Sequence, residues 1–139
     1  SDRNLRKSIY SFVLSLFRAY LEKTQSRLVC NMEDFNKANA AFIREDYFGA
    51  LELYNQSLKE QNDNFDAFAF RSQTQYKVNN FTGGIADAEQ AIALASDNYR
   101  GHYLRGIGHF YAEKFDTAVQ DLTEALTKAK EGSEKALVQ

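Results

Sequence analysis

The chain has 139 residues, is 44% hydrophobic and 26% charged, and carries a formal net charge of -2. These values suit one soluble domain with a real core and exclude a disordered chain. Nothing in the charge argues for a nucleic-acid partner.

Residues 1–30 carry a helical stripe of Leu5, Ile9, Phe12, Val13, Leu16, Phe17, Tyr20, Leu21 and Leu28, at the spacing of three and four that selects one face. Six basic residues stand against two acidic ones here, a net +4, while the remaining 11 basic and 17 acidic residues give -6. A basic amphipathic helix can dock on a partner, pair with a second copy, or lie on an anionic membrane. The reading favoured over these is an N-terminal cap on the remainder of the chain, because the end face of a stacked helical array is apolar. The face Ile9, Phe12, Val13, Leu16, Phe17 and Tyr20 is the candidate for oligomer or membrane contact, with the membrane not favoured. The longest uncharged run, 8–17, is well short of the roughly 20 residues a membrane span requires. The lone Cys30 cannot form an internal disulfide, which fits a reducing, cytoplasmic compartment or simply a fragment with no need of one.

From residue 31 the chain repeats at 34 residues. Tyr47, Phe81 and Phe115 form one series; Ala50, Gly84 and Ala118 a second; Leu58, Ile92 and Leu126 a third. Such a period marks a solenoid, in which each unit buries its apolar face on its neighbours. Units 31–64, 65–98 and 99–132 each predict two helices: 33–43 with 47–59, 66–78 with 81–94, and 100–112 with 115–130. A large aromatic opens each second helix, and a small residue three positions on lets the paired backbones approach. Arg71 and Arg105 recur at the same period, as do Asp87 and Asp121, which makes the aspartates candidate partners for the arginines across each of the last two units; the alternative is that both arginines snorkel to solvent. Gly83 has no evident role and should cost its helix on the order of 1 kcal/mol relative to Ala. Gly132–Ser133 reads as a helix stop followed by an N-cap, so 133–139 predicts the start of a capping helix. The chain stops in the middle of a helical pattern, which suggests a piece of a longer protein.

No catalytic constellation emerges. His102 and His109 are seven apart, where a helical metal pair needs three or four. One of them is expected to be partly exposed and the other packed between helices. Neither a metal nor a cofactor is expected, and the chain does not read as an enzyme.

The repeat resembles the tetratricopeptide repeat (TPR), whose small positions are filled by Ala38, Ala50 and Ser57, then Ser72, Gly84 and Ala91, then Gly106, Ala118 and Ala125. Asn62, Ser96 and Lys130 replace the usual proline, and Lys37, Arg71 and Arg105 the usual leucine. The resemblance implies an all-α, right-handed superhelix of antiparallel helix pairs and a protein or peptide partner held in a concave groove, in an adaptor or co-chaperone-like role. Three such units behind an N-terminal helix also resemble the layout of secretion-type chaperones. Carried over by position, the groove residues are Phe35, Asn39, Ala69, Phe70, Gln73, Arg100, Tyr103, Leu104 and Ile107. The family's clamp for acidic C-terminal tails is incomplete: Asn39 matches and Arg100 can replace a lysine, but Phe35, Phe70 and Leu104 occupy the other places. Weak or absent binding of such tails is therefore expected.

Overall fold

A computed structural model describes residues 1–138; position 139, the last residue of the expected capping helix, lies outside the described residues. Six helices follow one another: α1 Asp2–Ile43, α2 Tyr47–Glu60, α3 Phe65–Lys77, α4 Phe81–Leu94, α5 Tyr99–Tyr111 and α6 Phe115–Val138. The C-terminal part of α1 pairs with α2, α3 pairs with α4, and α5 with α6, and successive pairs stack.

The turns inside the pairs share one construction. Glu45, Asn79 and Glu113 adopt left-handed φ values of 63°, 62° and 60°, and they recur at the repeat period. The next residue's N–H in each case reaches back to a helical carbonyl: Asp46 to Ala41, Asn80 to Gln75, Lys114 to His109. These bonds satisfy carbonyls that the helix end would otherwise leave open. Asp46 and Asn80 then cap the following helices by accepting from Gly49 N and Gly83 N. A Cβ at Gly83 would lie 2.6 Å from the Asn80 amide nitrogen, so a larger residue there requires the capping side chain to shift. Phe42 meets Tyr47, Tyr76 meets Phe81, and Phe110 meets Phe115, with ring centroids 5.6, 6.4 and 5.7 Å apart. The aromatics that open α2, α4 and α6 thus close the end of each pair.

The core lies within and between the pairs. Ala38, Ala41, Ala50 and Tyr54 form a first cluster, Leu58, Ala67, Phe68 and Ala91 a second, and Ala69, Ala88 and Leu104 a third. Both candidate ion pairs form. Arg71 donates to Asp87 at 2.8 and 2.6 Å, and Arg105 donates to Asp121 at 3.1 and 2.8 Å. In the first pair Lys37 instead bonds Glu33 on its own helix, and the position corresponding to Asp87 is the packed Leu53. His102 is buried with Nε2 on Ser96 O, and His109 bonds the Asp121 carboxylate at 2.7 Å. His102 is the packed histidine, and His109 is the partly exposed one, held by Asp121.

Two boundary expectations are corrected. Residues 1–30 do not fold back as a cap, because nothing interrupts α1 between Asp2 and Ile43. Leu21, Leu28, Phe35 and Phe42 are spaced by seven, so the stripe is simply the upstream continuation of the face that packs on α2. Gly132 does not stop α6, which runs through to Val138. A glycine costs a helix interior only about 1 kcal/mol, too little to break it against continuous hydrogen bonding on both sides.

Candidate functional site

The side chains of α3 and α5 that face away from α4 and α6 form a groove. At its centre is a cavity of about 470 Å3. Its floor is Leu104, 2% exposed, whose carbonyl accepts a 2.7 Å hydrogen bond from the Tyr76 hydroxyl. One wall is the stacked pair Phe81 and Tyr111, with centroids 5.4 Å apart, and Phe42 closes the side toward the first helix pair. Gln73, Lys77, Asn79, Tyr103 and Ile107 complete the lining. Burial pushes the Tyr76 phenol up to about 12, so it stays a neutral donor.

Next to the cavity the groove is paved with rings. Phe70 lies 6.1 Å from Phe35 and stacks on Tyr54 at 6.5 Å. The Arg100 guanidinium sits over Phe70 and Phe65, 5.4 and 5.5 Å from the ring centroids, and donates to Asp66 at 2.7 Å. Asn39 accepts from the buried Tyr54 hydroxyl at 2.6 Å, and burial raises the Tyr54 pKa strongly.

The structure divides the sequence-derived groove residues. Gln73, Tyr103, Leu104 and Ile107 come together around the cavity. Phe35, Asn39, Phe70 and Arg100 form the neighbouring paved region, with Asn39 and Arg100 already holding protein partners. Ala69 is corrected: it is 0% exposed between α4 and α5 and cannot meet a ligand, because it faces the core. Leu104 serves as floor and not as an exposed contact. Phe42, Tyr76, Asn79 and Phe81 were not among the expected residues. A signal for three of them was present, since Phe42 and Tyr76 belong to one 34-residue aromatic series and Phe81 to another.

Among the described residues no group of three or more His, Cys, Asp or Glu could hold a metal ion, and no helix is long and apolar enough to cross a membrane.

No protein-family model matches the chain. Among solved structures, the TPR domain of Arabidopsis OM64 superposes with a TM-score of 0.71 over 73% of this chain and 84% of that one, at 19% identity. The TPR2AB domain of yeast Sti1, in complex with pHSP90, gives 0.72 over 76% of this chain and 41% of that one, at 20% identity. The chain folds as a TPR array. At these identities the likeness concerns the fold alone. Among curated proteins, an SGT1 homolog of rice is 32% identical over 83 residues, 60% of this chain and 23% of the relative. Hsp70-Hsp90 organizing protein 3 of Arabidopsis thaliana is 26% identical over 94 residues, 68% of this chain and 17% of the relative. The TPR array thus spans under a quarter of the length of each of these relatives.

Proposed function

We propose that this TPR array is a non-catalytic, cytoplasmic adaptor module that binds an extended protein segment across the groove between α3 and α5. The observation that carries this reading is the aromatic cavity itself. It is a concave, ring-lined space with a sparse polar rim of Gln73, Lys77, Asn79 and Tyr103. Sites of that make-up bury apolar side chains and use a few polar groups to orient the backbone. Support also comes from the names of the relatives, an SGT1 homolog and an Hsp70-Hsp90 organizing protein, which favour a co-chaperone-like adaptor.

The groove favours an apolar or aromatic segment over an acidic C-terminal tail. Solved TPR arrays similar to this one hold the HSP90 peptide SRMEEVD. Here Phe35, Phe70 and Leu104 stand at three clamp positions, and Arg100 is committed to Asp66. A terminal carboxylate would find no free cationic fork there. Peptide selection on the intact chain tests this, with Tyr103→Ala as control and SRMEEVD titrated in parallel. Aromatic and aliphatic segments whose binding needs Tyr103 are expected. Enrichment of acidic tails would overturn the ligand class, and binding indifferent to Tyr103→Ala would overturn the groove.

A further inference from the structure

The upstream part of α1 leaves an apolar face uncovered. Leu5, Phe12, Val13, Leu16, Phe17 and Tyr20 are between 56% and 65% exposed, and Leu21 and Leu28 are 48% and 49% exposed. The arrangement of this face is nearly palindromic. Turning the helix end for end about a point between Leu16 and Phe17 exchanges Leu5 with Leu28, Phe12 with Leu21, Val13 with Tyr20, and Leu16 with Phe17. Ile9, 54% exposed on the same face, meets Thr24 in this operation, so eight of the nine apolar positions map onto one another, most of the self-complementarity that an isologous interface requires.

We propose that α1 pairs antiparallel with α1 of a second copy of this chain, with the two-fold axis passing between Leu16 and Phe17. Three further observations select that occupant. First, the area suffices: eight large side chains, each releasing about 100 Å2, give on the order of 800 Å2 per chain, the standard share of a stable interface.

Second, the stripe continues the face that α2 covers farther along, and α2 runs antiparallel to α1 and ends near Arg27, where Glu60 approaches at 3.8 Å. An incoming antiparallel helix therefore begins where α2 stops and continues in the same direction. Its N-terminus, the positive end of the helix dipole, meets the C-terminus of α2, the negative end.

Third, the charges of an antiparallel pair are better offset than those of a parallel one. In this register Arg6 of the incoming helix falls opposite Arg27, the residue that Glu60 approaches at 3.8 Å, so a carboxylate stands beside the two cations. A parallel pair would instead bring Arg3, Arg6 and Lys7 against their own duplicates and set two -6 bodies side by side.

Sedimentation or light scattering of the intact chain gives the first test. A mass twice the 15.9 kDa of one chain is expected. Leu16→Glu with Phe17→Glu should return the monomer, with helix content from circular dichroism and the unfolding midpoint of the repeats retained. A second test fixes the orientation. In a Cys30→Ser background, Val13→Cys with Tyr20→Cys should cross-link between chains as 13 to 20 under mild oxidation. A chain that stays monomeric at its highest soluble concentration overturns the proposal. So do cross-links of 13 to 13 and 20 to 20, a dimer that survives the double glutamate change, and a monomer that instead co-sediments with phosphatidylserine vesicles.

Discussion

Arg71 and Asp87, 16 positions apart in sequence, join α3 to α4 through two parallel hydrogen bonds of 2.8 and 2.6 Å. The Asp87 side chain is 6% exposed and that of Arg71 20%, so the carboxylate gives up nearly all its water for this one partner. Asn55 takes a third Arg71 N–H at 2.9 Å and ties α2 to the same guanidinium. Asp87→Ala strands this cation and should cost about 2–3 kcal/mol, read from urea unfolding midpoints. Arg71→Met with Asp87→Leu removes both charges and should cost much less than the single change. A single change that costs no more than the double would show that the pair contributes only packing.

Gly108 sits where α5 crosses the α3–α4 pair. A Cβ at this position would fall 2.8 Å from the Tyr76 ring carbon Cζ and closer still to Ile85. Overpacking of this kind costs about 1–3 kcal/mol, which exceeds the gain of roughly 1 kcal/mol that alanine brings to a helix. Gly108→Ala should therefore lower the thermal midpoint, whereas Gly132→Ala, with no neighbour within 4 Å, should raise it. A rise for both variants would show that the helices separate freely at the crossing.

Tyr76 should make the array sensitive to alkali. Its folded pKa is about 12, raised first by burial, against an ordinary value of 10.0. Between those values the unfolded chain releases a proton that the folded chain keeps, so stability falls as pH rises. Below pH 10 the contribution is fully present. Stability measured from pH 9 to pH 12 should decline, and Tyr76→Phe should decline less steeply. Tyr76→Phe should also start about 1 kcal/mol lower, because Leu104 O loses its donor. An equal slope for both proteins would place the alkaline sensitivity elsewhere.

Tyr103 is 47% exposed on the groove rim, and its truncation removes contact surface without opening the core. Tyr103→Ala should weaken a bound segment by about 1–2 kcal/mol while leaving the unfolding midpoint within about 0.5 kcal/mol of the parent. Titration calorimetry beside a thermal melt separates the two effects. A variant that binds normally would remove Tyr103 from the ligand contacts.

Several of these features are legible in the sequence. The 34-residue period locates the helices α2 to α5 to within a residue or two, since each unit repeats the same apolar spacing. The recurrence of Arg71 with Arg105, and of Asp87 with Asp121, marks them as candidate partners, and the structure pairs them. The groove is legible by register but not in depth. Ala69 and Leu104 lie on helices that line it, yet inter-pair packing turns one wholly into the core and makes the other a floor. Phe42, Tyr76 and Phe81 carry a structural explanation at the pair ends, which hides their second role around the cavity.

What the sequence by itself determined is periodic: the repeat, the pairing of its helices, and the register of the arginines and aspartates that pair. All of these depend on residues at fixed spacing within one unit, so a local rule applied three times suffices. What only the tertiary structure decided is continuity and depth. Whether residues 1–30 cap the array or extend it, whether Gly132 ends a helix, and which groove residues are buried all depend on packing summed over whole neighbouring helices. Gly132 shows the physical reason, because a local cost of about 1 kcal/mol cannot interrupt a helix whose hydrogen bonds continue cooperatively on both sides.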